Sequence, residues 1–267
     1  MSPVAKLAGF AGLLVLVFGL AVAAGSAIGP ERQGAEAHGS EPDPVRGLAV
    51  ADGGLTLALA PGQEGELAFE IRDEDGRPVR DYDVEHEKRM HVIVVRRDGS
   101  GFQHVHPQLG ADGVWRVPLT LREAGSYRVF ADFAHDGEAE TLAADLAVDG
   151  DADYRPLPAP ATTARTSDGY VVSLDAEAPR AGSEAELSFT VSRGGETVRT
   201  ERYLGAGGHL VALREGDLAY LHVHPEEHGD AVSFMTEFPS EGRYRLYFQF
   251  KHAGRVHTAE FTQQVAR

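Results

Sequence analysis

Short apolar runs, some alternating and some continuous, recur along the chain beyond residue 49, each closed by a glycine- or aspartate-rich turn. In the first stretch they are Leu55–Leu59, Glu66–Arg72, Met90–Arg97, Phe102–His106, Val114–Leu121, Ser126–Phe133 and Thr141–Val148. β-Branched and aromatic residues are frequent in them, and Asp75-Gly76, Asp98-Gly99 and Asp112-Gly113 stand at the joints, which predicts strands and tight turns. No capped run of helical period follows residue 30. Seven strands in about 100 residues is the dimension of an immunoglobulin-like sandwich. Tyr127 and Tyr244 each follow by two residues a glycine that ends an acidic turn, a placement resembling the tyrosine corner of such sandwiches.

The pattern occurs twice. MHVIVVRRDGSGFQHVHP (Met90–Pro107) aligns without a gap to GHLVALREGDLAYLHVHP (Gly208–Pro225), at an offset of 118. His91, Arg96, His104, Val105, His106 and Pro107 match His209, Arg214, His222, Val223, His224 and Pro225. Further on the offset is 117, and Tyr127, Phe133 and His135 match Tyr244, Phe250 and His252. A tandem duplication follows, not a solenoid. The predicted fold is therefore all-β, with immunoglobulin-like sandwiches over residues 49–150 and 167–267. Residues 30–48, rich in Pro, Gly and acid, read as a flexible linker, and the Pro-rich residues 151–166 as an extended, stiffer one.

Ahead of these lies a different pattern. Leu7 to Ile28 holds no charge, and its 22 residues exceed the roughly 20 needed to cross a bilayer as a helix. Residues 1–29 read as an N-terminal transmembrane signal anchor. Lys6 on the N-terminal side favours a single-pass topology at the cell membrane with the bulk of the chain extracytoplasmic. The competing reading is a cleaved signal peptide, with Ala21-Val22-Ala23 as the small-residue site, which would make the protein secreted.

Charge and composition narrow the function. Forty-one acidic residues against 25 basic ones leave a net charge of −16, which excludes a nucleic-acid binder that neutralises phosphates. Cysteine is absent, so disulfides, thiolate metal sites, iron–sulfur clusters and cysteine nucleophiles are excluded. No nucleophile-elbow, P-loop, dinucleotide or zinc-protease motif occurs.

Histidine carries the chemical signal. Eleven of the 12 histidines fall inside the two repeats. Residues i and i+2 of a strand share a face, so His104 and His106 project together, as do His222 and His224. A hairpin with Asp98–Gly101 as its loop would pair Val95 with His104 and Ile93 with His106, leaving His91 diagonal to His106 on that face. His209, His222 and His224 would form the same triangle. Three neutral imidazoles suit Cu2+ first, given the oxidising exterior, and zinc second. Further ligands would come from His86, Asp132 and His135 in the first repeat, or His228, His252 and His257 in the second. The alternative is architectural: one ring bonded to a carbonyl, the other exposed, with proline closing the strand. Arg96 and Arg214 read as solvated partners of nearby acids.

HEKRMHVIVVRRDGSGFQHVHP (His86–Pro107), followed by YRVFADF, resembles a signature of exported or membrane-anchored actinobacterial proteins described as heavy-metal-binding-domain proteins. In outline both repeats are similar to YtkA-like and CopC-like β-sandwich modules. That resemblance implies copper handling in the cell envelope, by buffering or by delivery to and from an envelope protein. The chain departs from it in lacking a methionine-rich copper(I) motif. Two rivals stand beside this reading. One is an interaction ectodomain with structural histidines. The other is a His-metal enzyme with Glu226, Glu227 or Asp132 as its base.

Overall fold

The computed structural model describes residues 45–221, 223–228 and 231–267, with backbone alone at 224–228. The expected anchor, residues 1–29, and the linker up to residue 44 lie outside the described residues. Among those described, every regular element is a strand, and no helix is long and apolar enough to cross a membrane.

The first repeat contains β1 (Ala51–Asp52), β2 (Leu55–Ala60), β3 (Glu66–Arg72), β4 (His91–Arg96) and β5 (Gln103–Val105). It continues with β6 (Gln108–Leu109), β7 (Trp115–Pro118), β8 (Gly125–His135) and β9 (Glu138–Val148). These form two antiparallel sheets, ordered β1-β2-β3-β7-β6 and β5-β4-β8-β9. The second repeat contains β10 (Thr163–Arg165), β11 (Tyr170–Ala176), β12 (Glu184–Arg193), β13 (Glu196–Thr197) and β14 (His209–Arg214). It ends with β15 (Tyr220–Leu221), β16 (His224–His228), β17 (Ala231–Glu237), β18 (Gly242–His252) and β19 (Arg255–Val265). Its sheets run β10-β11-β12-β17-β16, with β13 on β12, and β15-β14-β18-β19. The two repeats are thus tandem immunoglobulin-like β-sandwiches with matching strand order.

Alternation explains the outer sheets. In β2, Leu55 and Leu57 point into the first core, and in β11, Tyr170, Val172 and Leu174 point into the second. The continuous apolar runs of β4 and β14 have another cause. Val92 and Val94 pack into the first sandwich, while Ile93 and Val95 face outward; Leu210 and Ala212 pack into the second, while Val211 and Leu213 face outward. The outward sets meet each other in a third apolar cluster with Phe130, Ala143, Leu218, Tyr220 and Tyr247. A strand buried on both faces has no polar side to show.

This joint between the repeats obeys an approximate twofold relation. Phe102 of the first stacks on Tyr247 of the second, ring centroids 4.0 Å apart, and Tyr220 packs on Phe130 at 5.5 Å. At the offsets of the duplication, Phe102 corresponds to Tyr220 and Phe130 to Tyr247. Tyr247 donates its phenol to the Gly99 carbonyl at 2.6 Å, and Tyr220 donates to Asp132 Oδ2 at 3.0 Å.

Both tyrosine corners are present. Tyr127 donates to the Glu123 carbonyl at 2.8 Å and Tyr244 to that of Ser240 at 3.0 Å. The linkers are shorter than expected. Residues 46–48 are docked: the Tyr220 amide donates to the Arg46 carbonyl, and a Cβ on Gly47 (φ 70°) would lie 2.7–2.8 Å from Tyr220 and Phe130. At the other linker, Thr163–Arg165 pairs with Val171–Ser173 and so belongs to the second sandwich. The Asp168–Gly169 turn folds it back, where composition alone suggested a longer spacer.

Arg96 also departs from expectation. It is buried, 1% exposed, and pairs with Asp98 at 3.0 Å and Glu123 at 2.9 Å. It donates further to the carbonyls of Ala124 and Asp153 and lies 4.7 Å over the Tyr154 ring. The linker is thereby strapped to the first sandwich. Its counterpart Arg214 grips Asp217 and Ser240 nearer the surface.

Arg96→Ala is expected to lower unfolding free energy by about 3–5 kcal/mol, because Asp98, with a side chain 3% exposed, would keep an unpaired charge. Arg214→Ala should cost under about 1 kcal/mol, its partner being 41% exposed. Urea unfolding of both variants measures the contrast; two equal, small losses would remove Arg96 from the stabilising network.

Candidate metal centre

His91 opens β4, opposite Asp132 of β8. His104 sits in β5 opposite Ile93, and His106 follows two residues later. This register differs by two residues from the expected one, which paired Val95 with His104. The cause is the loop. The Gly99 amide closes on the Arg96 carbonyl and the Arg96 amide on that of Ser100, a three-residue turn with Gly99 at φ 77°. Gly101, at φ 65°, then adds a bulge. A two-residue shift keeps every side chain on its face and brings the end of β5 level with His91.

The three rings converge. His91 Nδ1 lies 3.1 Å from His104 Nε2 and 3.2 Å from His106 Nε2, and one ring nitrogen from each falls within 4.8 Å of the others. Tetrahedral coordination with bonds of about 2.0–2.1 Å places ligand nitrogens ~3.3 Å apart, close to the two separations measured from His91 Nδ1.

Hydrogen bonds behind two of the rings, His91 and His104, set their tautomers. His91 Nε2 lies 3.2 Å from the Glu85 carbonyl, which can only accept. The proton is therefore on Nε2, and Nδ1 faces the cluster bare. His104 Nδ1 lies 2.7 Å from Gln249 Oε1, which leaves Nε2 bare toward the cluster. Partners of this kind orient metal-binding histidines. Glu85 is placed by a tight turn through His86 and Glu87 at φ 47° and 64°, where its amide and the Lys88 amide exchange bonds with each other's carbonyls. The second repeat rebuilds the device: Leu204 and Gly205 turn at φ 52° and 81°, and His209 Nε2 reaches the Tyr203 carbonyl at 2.8 Å.

Burial keeps the rings neutral. It is the main cause lowering the affinity of His91 for a second proton, against the opposing pull of the Glu85 carbonyl and Asp132. His104 is held well below the usual histidine range by burial and then by His91 and His106. His106 is pushed down to about 3 by burial, His91 and Lys88, and His209 to about 4, mainly by burial. Neutral imidazole is the metal-binding form.

Two further histidines border the three. The His86 ring lies 6.1 Å from that of His91 and 5.4 Å from that of His209. The His209 ring lies 6.4 Å from His104, beside the first repeat's cluster. Of its expected companions, His222 lies outside the described residues, and His224 is described by backbone, which pairs with Met235 in the other sheet. His228 is likewise described by backbone alone. Asp132 binds the hydroxyls of Thr141 and Tyr220, and His135 bonds to the Asp81 carbonyl. His252 meets Tyr170, while His257 pairs with Asp168 at 2.6 Å and with the His252 carbonyl. His135, His252 and His257 thus bond within their own sandwiches, whereas Asp132 joins the two sandwiches and its charge acts on His91.

Gln249 was not legible as part of the site. A glutamine far along the chain carries no metal signature; its one clue is that it occupies the position of Asp132 in the duplication.

Comparison with known proteins gives a family and a set of distant folds. The model of a family described as a domain of unknown function (DUF8832) matches twice, at residues 48–150 and 164–267. No curated protein matches the chain significantly. Among solved structures, the chain is similar to the Escherichia coli adhesin FdeC at 16% identity and a TM-score of 0.25. The match covers 82% of this chain and 66% of that one, just under two thirds of its length. Domains 4 and 5 of the S-layer protein SbsC match at 10% identity and a TM-score of 0.25, covering 85% and 96%. The FN1–FN3 domains of chicken CNTN1 match at 11% and 0.24, covering 83% and 68%.

The lowered histidine values fix a pH dependence for the metal-free protein. Between about 4 and the ordinary histidine value of 6.5, the unfolded chain binds more protons than the folded one, so stability rises with pH across that window. The thermal midpoint should fall as pH is lowered from 7 toward 4, and less steeply in His104→Ala/His106→Ala. Identical slopes in the two proteins would show that these rings do not link folding to protons.

Proposed function

We propose that this chain, which belongs to the DUF8832 family through both of its repeats, binds a divalent metal ion through His91, His104 and His106. One observation carries the reading. Nitrogens of His104 and His106 each approach His91 Nδ1 within 3.2 Å, and the partners behind His91 and His104 turn lone pairs, not protons, toward the common point. His91 Nδ1 and His104 Nε2 then face each other as lone pairs 3.1 Å apart, and lone pairs so placed repel. A cation at that point turns the repulsion into coordination.

Copper(II) is the preferred ion and zinc the second. Both take imidazole, and the chain offers no thiolate. The acidic surplus favours cations near the surface. With the apolar segment Leu7–Ile28 as a membrane anchor, the two sandwiches would work outside the cytoplasm, buffering metal or passing it to an envelope partner. The same reading extends to His209, His222 and His224 as a second set.

Titration of the full chain with Cu(II) and Zn(II), with metal content read after desalting, tests this. His104→Ala/His106→Ala should lose one equivalent, and His222→Ala/His224→Ala should lose another if the second set also binds. A folded wild-type protein that retains no metal would overturn the reading and return the histidines to architecture.

A further inference from the structure

We propose that Gln249, on the second sandwich, is the positioning residue that makes His104 of the first a metal ligand, so that the three-histidine site is a composite of both repeats. The proposal rests on the metal-binding reading above. Gln249 and His104 stand 145 residues apart in the chain, yet Gln249 Oε1 lies 2.7 Å from His104 Nδ1. The amide is itself held. Its nitrogen donates to Thr258 Oγ1 at 3.2 Å, which turns the oxygen toward the imidazole, and the residue is 7% exposed. An acceptor at Nδ1 draws the ring proton there and leaves Nε2 bare, 3.1 Å from His91 Nδ1. Without it the ring is better served by the opposite tautomer, with Nε2–H donated to His91. That proton would block both nitrogens for a metal.

The duplication supports a built contact. Asp132 stands where Gln249 does, and Thr141 where Thr258 does. Asp132 takes the Thr141 hydroxyl at 2.9 Å on one oxygen and reaches across the joint to the Tyr220 phenol at 3.0 Å with the other. In both copies this strand position is pinned by a threonine of the neighbouring strand and extends an acceptor to the opposite sandwich. The first copy uses a carboxylate to hold a phenol. The second uses an uncharged amide to hold an imidazole, which sets the tautomer without adding a charge that would favour the imidazolium. His209, paired with Gln249 across β14 and β18, brings a further imidazole from the same sandwich to the edge of the cluster.

Nitrogen-resolved imidazole spectra of the metal-free full chain, beside competition titrations with Cu(II) and Zn(II), test the proposal. His104 should carry its proton on Nδ1 in the wild type and in Gln249→Glu, and on Nε2 in Gln249→Leu. Metal affinity should fall about 10–100-fold in Gln249→Leu and be largely restored in Gln249→Glu. A wild-type His104 protonated on Nε2 overturns the proposal, and so does a Gln249→Leu variant whose tautomer shifts without loss of affinity. A wild type with His104 protonated on Nδ1 that takes up no metal supports the positioning contact and overturns the metal reading, so the two failures are separable.

Discussion

The burial of β4 and β14 on both faces is the constraint from which the rest of this structure follows. Each strand lines its own sandwich with one set of side chains and meets the other sandwich with the next. Ile93 and Val95 against Val211 and Leu213 form an apolar joint, with Phe102 on Tyr247 and Phe130 on Tyr220 closing its sides. Domains joined only by a linker ordinarily move against one another, but an apolar interface of this kind holds them in a fixed relation. The buried Arg96 adds a second hold by strapping the linker to the first sandwich.

That fixed relation places the chemistry. The histidine cluster lies where β4 and β5 leave the joint, and the second sandwich supplies both the acceptor behind His104 and the neighbouring His209. A gene duplication usually gives two equal sites. Here the second copy places Gln249 and His209 against the first copy's rings, and the equivalent positions have diverged: His86 against Leu204, Asp132 against Gln249. The backbone device that aims His91 and His209 has persisted in both, a tight turn presenting a carbonyl six residues upstream. Membership of DUF8832 covers both repeats, and the proposed chemistry rests on the geometry of these rings.

The strand periods, the duplication, the tyrosine corners and the pairing of His104 with His106 on one face were all legible in the chain. They depend on period two and on turn residues a few positions apart, and local sterics determine both. The hairpin register was legible only to within two residues, because Gly99 and Gly101 permit several turns and the bulge that settles among them is chosen by packing. Arg96 looked like a surface arginine. A charge is tolerated inside only when its partners surround it, and here they come from Asp98, Glu123 and the linker at Asp153.

By itself the sequence determined the class of fold, the repeat, and which imidazoles share a strand face, since each of these is a property of neighbours along the backbone. Only the tertiary structure decided that the continuous apolar runs are an interface, that His209 borders the first cluster, and that Gln249 stands behind His104. Those contacts join residues more than 100 positions apart, and they exist because two sheet faces with no polar side are more stable against each other than in water.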